Sequence, residues 1–151
     1  MKKRIILFLL ICIVALSVIL IYFKTTSNKG MDENKSLITK IQSELISSDY
    51  LDLNKVTDFQ WDKVYIITPY GSPKKILKED NINWINISES IVNNDDINLI
   101  VFTFNNNIVS YVNFPRNIAD FSLLRSTEFN KESAIFSISK NSNLIKLVPS
   151  K

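Results

Sequence analysis

Apolar and polar residues along the chain fall into three regimes. Ile5 to Phe23 is nineteen consecutive positions without a charged side chain, directly after Met1-Lys2-Lys3-Arg4. As a helix this run spans roughly 28 Å, close to the hydrocarbon thickness of a bilayer. Lys24 to Asn34 is polar, with Thr, Ser, Asn, Lys and Gly30, and reads as a tether. From Glu33 to about Ser48, apolar residues recur at Leu37, Ile38, Ile41, Leu45 and Ile46, one stripe at helical spacing. Beyond that, the dominant period is two.

Asp62 to Thr68 predicts a strand through Val64-Tyr65-Ile66-Ile67, ended by Pro69. Ser72 to Asp80 predicts a short helix, with Ser72 as N-cap and Pro73 in the first turn, where a missing N–H does no harm. Ile82 to Ile87 reads as a short extended piece carrying Trp84. In Ile97–Phe104, Ile97, Leu99, Val101 and Thr103 face one way and Ile100, Phe102 and Phe104 the other. Asn105-Asn106-Asn107 tolerates positive φ, so Ile108–Phe114 runs back as a hairpin that Pro115 stops. Arg116 to Asn130 reads as a loop. Ala134–Lys140 and Leu144–Val148 form a second hairpin about Asn141-Ser142-Asn143. The expected fold class is α+β: an N-terminal transmembrane helix, then a two-layer domain with a helix packed on an antiparallel meander of about five strands. The expected segments are a cytoplasmic tip at 1–4, a signal anchor at 5–23 (Ile5 to Phe23), a linker at 24–34 and an extracytoplasmic domain at 35–151.

Two other readings of the N terminus stay open. Ala15-Leu16-Ser17 is a passable small-x-small cleavage site, but the apolar run continues past it through Val18-Ile19-Leu20-Ile21-Tyr22-Phe23. Cys12 is a poor lipidation site, because Ile11 precedes it where a small residue is usual. The apolar run that continues past both sites favours an uncleaved anchor with its cations in the cytoplasm.

Charge sharpens this picture. Lys2, Lys3 and Arg4 account for the whole excess of 18 basic over 15 acidic groups, so the chain beyond them is formally neutral. A neutral domain lacks the basic field that nucleic acid requires, and no nucleic-acid partner is expected. Histidine is absent, which excludes Ser-His-Asp and Cys-His catalysis and every His metal ligand. With Cys12 the only cysteine, no intramolecular disulfide forms. Two glycines, Gly30 and Gly71, cannot build a glycine-rich phosphate loop. Asp95-Asp96, Glu79-Asp80 and Glu128 with Glu132 read as ordinary surface features without the spacing of a metal or catalytic motif, and Ser72-Pro73-Lys74-Lys75 matches Ser-x-x-Lys but lacks the longer chain and further motifs that β-lactamase-type catalysis needs. No cofactor, metal or catalytic residue is expected, and the chain reads as a non-enzyme.

The densest unusual stretch is Phe59 to Tyr70. As a strand it sets Trp61, Lys63, Tyr65 and Ile67 on one face and Asp62, Val64, Ile66 and Thr68 on the other. Trp61, Tyr65 and Tyr70 are candidates for a binding patch rimmed by Lys63 and Arg116, since rigid aromatics dominate contact energetics. The competing reading buries Trp61 and Tyr65 between helix and sheet. The pattern Trp61-Asp62-Lys63-Val64-Tyr65…Pro69-Tyr70, with Leu99-Ile100-Val101-Phe102 and Val109-Ser110-Tyr111-Val112-Asn113-Phe114-Pro115-Arg116, resembles a family of small exported proteins of low-GC Gram-positive bacteria, membrane-anchored or lipidated. The resemblance covers residues 57–138 and implies an extracytoplasmic location without an assigned activity. The expected role is an accessory or binding protein, for instance a modulator of an exported enzyme such as a β-lactamase or wall hydrolase. Its expected partners are membrane lipid and an exported protein. The alternative is a structural or envelope-stress protein with no dedicated ligand.

Overall fold

The computed structural model describes residues 12–19, 30–82, 87, 89–124, 127–140 and 144–149. The chain divides into two compact units, residues 1–30 and Met31–Lys151. In the first, residues 12–19 are helical, and Ile13, Val14, Leu16, Val18 and Ile19 are each more than half exposed. The rest of the 5–23 run lies outside the described residues. Among the described residues no helix is long and apolar enough to cross a membrane.

The second unit is α+β, with few helices and two four-stranded, mainly antiparallel sheets. Its helices are α1 (Lys35–Ser47), α2 (Leu53–Val56) and α3 (Pro73–Glu79), with a 3-10 turn at Ser90–Val92. Its strands are β1 (Tyr50–Asp52), β2 (Lys63–Ile67), β3 (Ile97–Phe104), β4 (Asn107–Pro115), β5 (Ala119–Asp120), β6 (Glu128–Asn130), β7 (Ile135–Ser139) and β8 (Ile145–Pro149). Sheet I has the order β1-β7-β8-β5 and sheet II the order β4-β3-β2-β6. The expected single five-stranded meander is therefore corrected. The second hairpin, β7-β8, does not join the first but builds its own sheet with β1, and β5 adds to it in parallel. The 116–130 loop contributes β5 and β6, one to each sheet. The expected turn at 141–143 and residues 83–86 lie outside the described residues.

Helix α1 forms where the apolar stripe predicts. Asn34 caps it, accepting from the Leu37 N–H, and Leu37, Ile41 and Leu45 are buried at four-residue spacing. The β3–β4 turn has φ of 49° at Asn105 and 59° at Asn106, the double left-handed geometry of a two-residue hairpin whose twist matches its strands. The ladder slips between Phe102 and Thr103: Ser110 faces Phe102, Ile108 faces Thr103, and Val109 is the extra residue. That bulge turns Ile108 onto the face of Tyr111.

Sheet II is packed on both faces. On one, Val64, Ile66, Ile100, Phe102, Val112 and Phe114 meet α1, α2 and the inner side chains of sheet I in the larger core. On the other, Tyr65, Ile67, Leu99, Val101 and Tyr111 meet Leu77 of α3 together with Ile82, Ile87 and Ile91. Met31 to Asn34, expected as tether, belong to this unit. Asn34 N–H donates to the Tyr111 carbonyl at 2.9 Å, and Glu33 Oε1 accepts from Asn113 N–H at 2.7 Å. This strap occupies the outer edge of β4, where unpaired backbone groups would otherwise face water.

Candidate functional site

The five residues named from sequence do not form one patch. Strand β2 begins at Lys63, so Trp61 lies outside the ladder and escapes its alternation. Trp61 Nε1 donates to Thr57 Oγ1 at 2.9 Å, and the ring stands edge-on to Phe102 at 5.3 Å. Only 2% of Trp61 is exposed, and it belongs to the larger core, on the side opposite Tyr65. The Lys131 ammonium covers the ring from 5.5 Å, a cation–π contact. Asp62, next along, points at the hairpin: its carboxylate accepts from Thr103 Oγ1 at 3.3 Å and from Asn105 N–H at 2.8 Å.

Tyr65 is fully buried in the smaller core. Among the described residues its hydroxyl makes no hydrogen bond within ordinary donor–acceptor geometry. Burial pushes its pKa up strongly, and the carboxylate of Asp80 adds to the shift, as do Glu128 and Asp62 at longer range. Lys63 pairs with Glu128 across the β2–β6 ladder, which raises the lysine pKa while partial burial opposes the rise. Both of those side chains remain substantially exposed, so the pair contributes little to stability.

Arg116 is a structural clasp. Its Nε and Nη2 donate to the two oxygens of Asp120 at 3.2 and 3.0 Å, and its Nη1 donates to the Asp95 carbonyl at 2.7 Å. Its backbone N–H reaches the Asp96 carbonyl at 2.8 Å. Asp120 also accepts from the Ser122 N–H and hydroxyl. Burial alone would raise the Asp120 pKa, but donation from Arg116 and Ser122 outweighs it and holds the carboxyl below its usual value. Hydrogen bonding to Asp120 raises the Arg116 pKa in turn. Sequence reasoning missed Asp120, because an i,i+4 spacing predicts contact on a helix and residues 116–120 form a turn running into a strand.

Tyr70 alone of the five is broadly exposed, at 68%. It sits in the turn between β2 and α3 with a φ of 63°, which a bulky L-residue rarely adopts. Its N–H donates to the Ile91 carbonyl at 2.9 Å, and Gly71 N–H donates to the Thr68 carbonyl at 3.1 Å. The turn passes so close to β2 that a Cβ at Gly71 would lie 2.5 Å from Ile67 Cγ2 and 3.0 Å from the Thr68 carbonyl oxygen. Glycine is required there for space.

Two surface grooves fall elsewhere. One of about 300 Å³ lies between α1 and α2 and holds the Lys40–Asp58 ion pair; the other, about 290 Å³, lies between Ile46 of α1 and Ile118 and Ile145. Neither contains any of the five candidate binding residues. Among the described residues no group of three or more His, Cys, Asp or Glu is placed to hold a metal ion. No protein-family model, curated protein or solved structure matches the chain.

Proposed function

We propose that the chain is a single-pass, membrane-anchored extracytoplasmic accessory protein, held by residues 5–23 with its first four residues in the cytoplasm. The observation that carries this reading is the charge-free run behind Lys2, Lys3 and Arg4. Support comes from residues 12–19, which are helical and present Ile13, Val14, Leu16, Val18 and Ile19 outward. Such a surface is costly in water and stable in lipid. The role is binding rather than catalysis, because a chain without histidine and without a glycine loop lacks the commonest acid–base and phosphate-binding devices. Of Trp61, Tyr65 and Tyr70, Tyr70 is the one a partner can reach, so contact runs through the β2–α3 turn. An exported enzyme is the partner class proposed.

Burial of Trp61 and Tyr65 favours a second reading, in which those aromatics serve packing alone and the protein is an envelope component without a dedicated ligand. One experiment addresses both. A C-terminally tagged chain is expected to resist carbonate extraction and to lose its tag to protease in intact cells. A mature chain beginning after residue 23, or a protected tag, overturns the anchor. Capture of an exported partner that Tyr70→Ala abolishes and Trp61→Ala spares supports the binding role; no such partner favours the second reading.

A further inference from the structure

The β2–α3 turn presents its aromatic side chain on a rigid base. Tyr70 is left-handed, pinned by its bond to Ile91 and followed by a glycine with no room for a Cβ. A large side chain held outward in this way loses little freedom on contact. Val92, next to the residue that pins it, is also exposed. Lys74, Lys75 and Lys78 follow on α3, all exposed, with Lys78 three and four residues from the other two and so on their face. Among the described residues none of the three is ion-paired. Glu79 is the exposed acid on the same helix; Glu89, Asp95 and Asp96, around the 3-10 turn, and Asp32, beside Met31, are exposed as well, and Asp80 is half-buried and acts on Tyr65. On α3 itself the three lysines outnumber its one acid, Glu79.

We propose that this face docks on the headgroups of anionic lipid, an inference that rests on the membrane anchor proposed above. An exposed aromatic side chain followed by a helix that bears three exposed lysines suits the membrane–water interface, where rings sit at headgroup level and lysines attract anionic lipid. The chain path supplies the second argument. Met31 packs against the smaller core together with Ile76 of α3, so the chain enters the folded unit on the side of sheet II that carries Tyr70. Only residues 24–30 separate Phe23 from Met31. Fully extended, they reach about 25 Å. Headgroups therefore stand at high effective concentration for this unit.

The test uses the full chain with Cys12→Ala, reconstituted in vesicles of phosphatidylcholine alone or mixed with phosphatidylglycerol. A fluorophore is placed by Ser72→Cys, beside Tyr70, or by Ser43→Cys, on the exposed side of α1. Nitroxide-headgroup lipid is expected to quench Ser72→Cys more than Ser43→Cys, and only in the anionic vesicles. Each substitution among Lys74→Gln, Lys75→Gln and Lys78→Gln lowers the docked-to-undocked ratio roughly fivefold. Equal quenching at the two sites, equal quenching in the two lipids, or indifference to the lysine substitutions overturns docking. Carbonate extraction of the same vesicles separates the causes. A chain that is retained but shows no contrast fails the docking proposal alone, whereas a chain that is extracted fails the anchor and the docking together.

Discussion

The two cores on either side of sheet II differ in kind. The larger is closed by α1, α2 and sheet I, and its aromatics meet edge-on: Phe59 and Trp61 on Phe102, Phe114 on Phe121, and Phe129 on Phe136, with centroids 5.0 to 5.6 Å apart. Among the described residues the smaller is closed by one short helix, a 3-10 turn and the side chains of Ile82, Ile87 and Met31, and it holds two tyrosines. One face of a single sheet thus has regular elements packed over it, and the other has a thin cover whose outer side carries Tyr70 and three lysines. The larger core holds the domain together, and the smaller one fixes what is displayed.

That contrast can be broken by mutation. Phe102→Ala should have the largest effect, about 3–5 kcal/mol by urea unfolding, because it empties the contact shared with Phe59 and Trp61. A loss under about 1 kcal/mol would remove the larger core from its proposed role. Leu77→Ala should cost less, about 2–3 kcal/mol. Its signature is local: faster amide exchange across α3 and the 3-10 turn, with β7 and β8 unchanged. Uniform acceleration would mean that the two cores unfold as one.

Asp120→Asn should cost about 1–3 kcal/mol, since it removes a charged acceptor from Arg116 and Ser122. Its pH dependence has a definite sign. A carboxyl held below its usual value stabilises the fold above that usual value, and the contribution disappears as pH falls through the lowered pKa. Acid titration of stability should therefore be shallower in Asp120→Asn than in the parent. Gly71→Ala should cost about 1 kcal/mol by overpacking against Ile67, and it should also loosen the turn that holds Tyr70. A melting temperature equal to the parent's would show that Ile67 gives way freely.

Tyr65→Phe is the smallest change and sharpens the comparison most. At neutral pH it should be neutral or slightly stabilising, within about 1 kcal/mol, since it deletes a buried hydroxyl that lacks a partner among the described residues. Above about pH 10, where a free tyrosine ionises, the parent should lose stability because the folded state holds the phenol proton more tightly. The variant should lack that component. Parallel alkaline curves would place the Tyr65 hydroxyl in contact with water.

What could be read from the sequence follows from how many residues carry each signal. Helix α1 repeats its apolar stripe over three turns, and the β3–β4 hairpin alternates over eight residues on each side of an asparagine turn. Both are legible. Strands β1, β5 and β6 are two or three residues long, too short for any period to register. The second sheet escaped for that reason, since β1 and β5 form its edges. Trp61 was assigned to the wrong face because alternation applies only inside a ladder, and the ladder starts two residues later. Tyr65 and Tyr70 look alike as sequence. What separates them is the cover supplied by Leu77 of α3 and by Ile82, Ile87 and Ile91, long-range packing that no local pattern encodes.

The strap at Glu33 and Asn34 has one more consequence, mechanical in nature. A pull on the chain upstream of Met31 passes through the packing of Met31 to the two bonds that hold Glu33 and Asn34 to Asn113 and Tyr111. Load at a strand border opens such bonds in succession, a low-force peeling, before it reaches the interior of the sheet. Once peeled, β4 would offer its bare amides and carbonyls to a neighbouring molecule, so stretching this protein should make it adhesive before it makes it unfold.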